Sequence, residues 1–183
     1  ITTILFGDEI KRIGSYAFEE TGKLTITKWG GITTIGSYAF SKSSIETITI
    51  SEKVEIIEEY VFSGCESLTR VEYPATVTSQ SSTIFNGCIK LTSLKITGSG
   101  AMQDYTNANQ PWYSVRTQLT TIEIGNGVTS IGTYSFIETS IQTIEIPESV
   151  TSIRSYSFKS SGLTMITLSN KIESLGTNVF ESC

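Results

Sequence analysis

The chain has 183 residues, with 13 Lys plus Arg against 18 Asp plus Glu, a formal net charge of −5 and a pI near 4.8. That balance argues against nucleic acid and anionic membrane as partners, since both select basic surfaces. There is no histidine, which removes Ser-His-Asp and Cys-His nucleophile pairs, His-ligated zinc and the two-histidine iron triad.

Asp occurs only at Asp8 and Asp104, so Asp-rich calcium loops are missing. No apolar run of about 18 residues is present, so no membrane insertion is expected. The composition holds 26 Ser, 27 Thr and 25 Ile, which favours strands. Hydrophobic residues make up 38%, enough for a core. Opening at Ile1 with no Met, the chain reads as a mature or excised segment.

Taken from the start, the chain declares a repeat. Ile13–Phe18 reads Ile-Gly-Ser-Tyr-Ala-Phe, Ile35–Phe40 repeats it, and Ile57–Phe62 is a looser copy. Ile131–Phe136 reads Ile-Gly-Thr-Tyr-Ser-Phe, and Ile153–Phe158 and Leu175–Phe180 follow. The anchoring residues Phe18, Phe40, Phe62, Phe85, Phe136, Phe158 and Phe180 are spaced 22, 22, 23, 51, 22 and 22 apart. The 51 is two repeats plus an insertion.

Counted back from each Phe, apolar residues fall at −17, −14, −12, −8 and −5. Ile1, Ile4, Phe6, Ile10 and Ile13 serve Phe18. The second repeat fits worst, with Lys23 and Lys28 at −17 and −12. Leu91, Leu94 and Ile96 open a repeat with no Phe of its own. Leu119, Ile122, Ile124, Val128 and Ile131 serve Phe136; Ile141, Ile144, Ile146, Val150 and Ile153 serve Phe158. Leu163, Ile166, Leu168, Ile172 and Leu175 serve Phe180.

The −14/−12 pair alternates with polar residues, which specifies a short strand with one buried face. Pro74, Gly125-Asn126-Gly127 and Pro147 end that strand with a turn. A second extended stretch carries −8 and −5, and the Tyr-Ala-Phe tip makes a tight turn. The expected fold is an α/β solenoid: a right-handed coil of about eight 22–23-residue repeats, mostly short β-strands with tight or 3-10 turns. Residues 1–183 form one array, read as part of a longer one, with an irregular insertion over 98–116. One repeat cannot offset its own ordering entropy, so each depends on its neighbours.

Four sets of residues are candidates for chemistry. Residues beside the buried strand positions project from the concave sheet face, and its middle carries Arg70, Glu72, Lys95, Glu123 and Glu145. A mixed-charge stripe can read a protein partner, or can be a solvated face whose charges satisfy each other. The Thr25/Thr27 and Thr47/Thr49 rungs suit ice binding only weakly, because Arg70 and Glu72 break the ladder. In the insertion, Tyr105, Trp112 and Tyr113 either expose aromatic faces to a sugar or protein, or Trp112 replaces the missing Phe while Met102 and Tyr105 fill the gap. Gly98-Ser-Gly100 lacks the third glycine of a dinucleotide loop.

Cys65, Cys88 and Cys183 all stand three residues after a Phe, where other repeats have Thr21, Ser43, Thr139 and Ser161. This suits a small buried side chain bonded to the next turn; a Cys65–Cys88 disulfide is the alternative in an oxidising compartment. Glu19-Glu20 and Glu58-Glu59 read as solvated turn charges rather than the converging carboxyls a glycosidase needs.

The pattern Leu-x-x-Ile-x-Ile-Pro-x-x-Val-x-x-Ile-Gly-x-Tyr-Ala-Phe resembles the BspA-type leucine-rich repeats. Leu68–Pro74 and Ile141–Pro147 match its first half, Ser63-Gly-Cys65 and Asn86-Gly-Cys88 look like its Ser-Gly-Cys, and Gly98–Tyr105 with Pro111-Trp112-Tyr113 is similar to a variant repeat of that family. The resemblance implies a secreted or surface-anchored protein of bacteria or parasitic protists that adheres to host matrix proteins or other cells, without catalysis and without a cofactor. It carries over no fixed binding residues. The expected function is a non-catalytic surface or extracellular binding module holding protein partners through its repeat face. The alternatives are a spacer that stacks on itself and, last, a carbohydrate-active enzyme.

Overall fold

The computed structural model describes residues 1–183. Sixteen short strands follow one another: β1 (Thr3–Leu5), β2 (Arg12–Ile13), β3 (Thr25–Lys28), β4 (Thr34–Ile35), β5 (Thr47–Thr49), β6 (Ile56–Ile57), β7 (Arg70–Pro74) and β8 (Ser79–Gln80) in the first half. The second half holds β9 (Ser93–Thr97), β10 (Gly100–Ala101), β11 (Thr121–Ile124), β12 (Val128–Ile131), β13 (Thr143–Glu145), β14 (Ser152–Ile153), β15 (Met165–Thr167) and β16 (Ser174–Leu175). The only helical element is a 3-10 segment, Tyr113–Gln118, inside the insertion.

Each coil contributes one odd-numbered and one even-numbered strand, and every pairing is parallel. Equivalent residues of successive coils therefore face each other. Thr47, Ile48 and Thr49 lie opposite Arg70, Val71 and Glu72, which lie opposite Ser93, Leu94 and Lys95, and then Thr121, Ile122 and Glu123. This register follows from the period-2 alternation. A slip of one residue would turn the isoleucines to solvent.

The core is a column of rings and β-branched side chains. Phe18, Phe40, Phe62 and Phe85 stack with centroids 5.3 to 5.7 Å apart. Phe136, Phe158 and Phe180 continue the column at 5.5 and 5.9 Å. Around them Ile45, Val54, Leu68, Leu119, Val128 and Ile141 are fully buried. At most coil tips the Tyr two residues before the Phe adopts a left-handed backbone, as at Tyr38 (φ 58°) and Tyr156 (φ 60°). Their rings stack outside the coil, Tyr16 on Tyr38 at 5.0 Å and Tyr134 on Tyr156 at 4.8 Å. Left-handed backbone costs a non-glycine residue about 1–2 kcal/mol, so the tips hold strain that stacking offsets.

Three features depart from the sequence template. In the second coil the inward residues are Leu24, Ile26 and Trp29, and Lys23 and Lys28 point outward to Glu46 and Asp8. A bulge between Ile4 and Leu5 absorbs that slip, pairing Leu5 with Lys28. The template positions Ile1, Ile10, Leu168 and Leu175 are exposed, because they belong to the outermost coils and have a neighbour on one side only. The sheets are also interrupted. Among odd-numbered strands, β3 does not bond β5 and β11 does not bond β13; among even-numbered strands, β8 does not bond β10.

Candidate functional site

Four of the five charged residues expected on the sheet face form one network. The Arg70 guanidinium donates to Glu123 Oε1 at 3.0 Å and Oε2 at 3.4 Å, reaching across the coil between them. It also donates to Ser93 Oγ at 3.1 Å and to Glu72 Oε1 at 3.5 Å. Lys95 Nζ lies 3.9 Å from Glu123 Oε2. In-register strands create this geometry: position −15 of one coil and −13 of another lie on the same face, within reach of a long arginine. Both charges of the Arg70–Glu123 pair remain partly exposed, so the pair fixes orientation more than it stabilises the fold.

The bond from Arg70 holds the Glu123 carboxyl below the usual glutamate range, with the charges of Arg70 and Lys95 adding to it and burial opposing it. The same bond raises Arg70. A carboxyl depressed in the folded state contributes stability above its unfolded pKa and loses it as pH falls through the folded value. The network is therefore expected to be intact at neutral pH and to dissolve only as pH falls below the ordinary glutamate range. A carboxyl-carbon NMR titration of Glu123 should show a depressed midpoint that rises in the Arg70→Met variant. Equal midpoints in the two proteins would contradict the assignment.

Glu145, the fifth residue, stands outside the network, exposed and in no ion pair. It lines an open groove of about 590 Å³ with Lys95, Thr121, Glu123, Asn126 and Thr143. The floor of this groove is the interruption between β11 and β13. Solvent reaches in there: Ile122, Ile124 and Ile144 keep 5%, 8% and 6% of their surface, against 0% for Val71 and 1% for Leu94 in the unbroken part of the sheet. The sequence template places all these residues on the face where they are found, yet it holds no signal for the interruption, which depends on how coils lean on one another.

The insertion does not present Tyr105 and Trp112 as exposed aromatic faces. Both are buried, because Trp112 takes the place of the missing Phe. Its ring stacks on Phe136 at 5.7 Å, Tyr73 and Tyr105 meet it edge-on at 5.7 Å, and its indole N–H donates to Ser135 O at 2.7 Å. Met102 is buried in the same core. Tyr113 alone stays partly exposed, and the Arg116 guanidinium covers its ring at 4.1 Å. Burial raises the Tyr105 hydroxyl's pKa, and burial with Tyr105 nearby does the same to Tyr73.

The cysteines are unbonded, and Cys65 and Cys88 are buried. Their thiols donate to Phe40 O and Phe62 O, each at 3.1 Å, and Cys183 does so to Phe158 O at 3.2 Å. The bond thus runs back to the preceding coil rather than on to the next. The neighbouring Cys65 thiol and burial push the Cys88 thiol up, away from the reactive thiolate. The glutamate pairs hold the tips together. Glu58 accepts from Arg12 at 2.7 Å and from both N–H and hydroxyl of Ser37 at 2.9 Å, and Glu20 accepts from Lys42 at 2.8 Å. No three potential metal-ligating side chains converge anywhere, and no helix is long and apolar enough to cross a membrane.

The chain matches the family described as BspA type leucine rich repeat region, in six copies over residues 1–110 and 107–183. No curated protein sequence matches it. Among solved structures it is similar to a leucine-rich repeat protein from Bacteroides ovatus, with 27% identity and a TM-score of 0.59 over 100% of this chain and 47% of that one. It thus spans just under half of that protein. A leucine rich cell surface protein from Faecalibacterium prausnitzii aligns at 22% identity and a TM-score of 0.39, over 100% of this chain and 65% of that one. The pneumococcal vaccine antigen PcpA aligns at 17% identity and a TM-score of 0.43, over 99% and 60%.

Proposed function

The chain belongs to the BspA-type leucine-rich-repeat family, and from that premise we propose that it is a non-catalytic binding module, extracellular or on the cell surface, that holds a protein partner against its odd-numbered strands. The partner class is a host matrix protein or another cell-surface protein. The observation that carries this reading is the fixed network of Arg70, Glu72, Lys95 and Glu123 on an otherwise Thr-rich open sheet face. Charges of both signs held in place on a flat surface give a partner orientation and register without further ordering of the binder.

Biolayer interferometry against fibronectin, fibrinogen, laminin and mucin tests it. Saturable binding to at least one of them is expected. Absence of saturable binding across the panel would contradict the reading.

A second reading, self-association, is favoured by apolar side chains that strands expose on the sheet face, Leu5 of β1 and Met165 of β15. Exposed apolar side chains of this kind can mark a contact surface. Light scattering that shows mass rising with concentration would support it, and a constant monomer mass would count against it.

A further inference from the structure

The two interruptions of the odd-numbered sheet are built differently, and the difference points to a ligand. Backbone groups alternate in direction along a strand. Ile50 N–H bonds toward β7, so Thr49 turns its own groups toward β3. At that first seam the Trp29 indole N–H reaches across and donates to Thr49 O at 2.7 Å. The protein closes the gap with its own side-chain donor.

The second seam has the same layout and no such closure. Thr121 and Gly125 donate to Thr92 O and Ile96 O of the coil before, so Ile122 and Ile124 turn their backbone groups toward β13. Ile146 donates to Thr167 O, so Thr143 and Glu145 turn theirs toward β11. Glu145 stands thirteen residues before its Phe, as Thr49 does, and the place of Trp29, eleven before the Phe, is held by Gly125. Gly125 is pressed against the preceding coil: a Cβ there would lie 2.8 Å from Ile96 O. The turn after β11 bonds back to the coil before it through Gly125 N–H and Ile96 O, and no side chain bonds the backbone groups between β11 and β13.

We propose that this seam is a docking slot for an extended peptide segment of a protein partner, carrying a Lys or Arg that meets Glu145. The inference rests on the binding-module reading and specifies where and what that module binds. The seam offers donors and acceptors of two strand edges together, which a peptide main chain laid along it matches with its own alternating N–H and C=O groups. Glu123 is already paired with Arg70 and Lys95, so the free Glu145 carboxylate alone sets the charge of the incoming side chain, while Thr121, Thr143 and Asn126 line the walls. A groove of about 590 Å³ is in the size range of peptide and small-ligand sites.

A displayed library of random nonapeptides, selected on the folded chain, tests the proposal. Selected peptides should carry Lys or Arg and lack proline in their central residues. The Glu145→Gln variant should weaken their binding about tenfold. Thr143→Pro, which removes one seam-facing N–H and leaves the β13–β15 bonds in place, should weaken it at least as much. In the free chain the amides of Ile122, Ile124, Thr143 and Glu145 should exchange with solvent faster than those of β7 and β9, and bound peptide should slow them. The proposal is overturned if no peptide is selected, if the selected peptides bind Glu145→Gln undiminished, or if the seam amides are already as protected as those of β7. Matrix-protein binding that persists unchanged in Glu145→Gln would leave the binding-module reading standing and remove only the slot.

Discussion

Replacing Trp112 with alanine is expected to cost about 3–5 kcal/mol, the range for deleting a fully buried large aromatic. Trp112 keeps 1% of its surface exposed and joins the ring column where the insertion interrupts the repeat. Its loss removes the stack on Phe136 and the edge contacts of Tyr73 and Tyr105, and leaves Ser135 O without its donor. In a solenoid each coil is stabilised mainly by its neighbours, so a weakened junction in the middle also uncouples the two halves. Urea unfolding of Trp112→Ala should show a lower midpoint and a broader transition. Trp112→Phe keeps a ring in the column and loses the indole bond, and should cost about 1–2 kcal/mol. A loss below about 1 kcal/mol in the alanine variant would mean that the insertion carries no weight in the core.

Gly132→Ala is expected to cost about 3 kcal/mol, the upper end for overpacking. A Cβ at this position would overlap the Gln103 carbonyl oxygen of the preceding coil, which is backbone and cannot swing aside. Gly14 holds the same place in the repeat motif, and a Cβ there meets nothing within 4 Å. Gly14→Ala should therefore change stability by no more than about 0.5 kcal/mol. The motif glycine is needed for the close approach of one coil's backbone to the next, and its importance depends on that neighbour. Equal melting temperatures for the two variants would contradict this explanation.

The periodicity of isoleucines and the Phe spacing are enough to read the coil, its two strands per turn and the parallel register, because each depends on a local pattern repeated in phase. The column of Arg70, Glu72, Lys95, Glu123 and Glu145 is also legible, since strand alternation alone puts those side chains on one face. Their connections are not. Arg70 reaches Glu123 past an intervening coil, and only the length of the arginine and the local lean of the coils decide that. The second coil resists the template because Lys23 and Lys28 sit where apolar residues belong, while Leu24 takes the first inward place and a bulge hands the other to Trp29. The same Trp29 closes one seam, and Gly125 leaves the other open; neither residue looks special until the coils are stacked.

Whether the odd-numbered strands hold the partner is decided by one comparison. The affinity of the chain for a panel protein it binds is measured beside that of a variant with Arg70, Glu72, Lys95 and Glu123 all changed to Ser. The substitutions remove two positive and two negative charges, so the net charge of −5 and its long-range steering are unchanged. At least a tenfold loss of affinity, about 1.4 kcal/mol, is expected, with the melting temperature lowered only slightly because the pairs are partly exposed. Full affinity in the variant would contradict binding through these strands and move the site off this face.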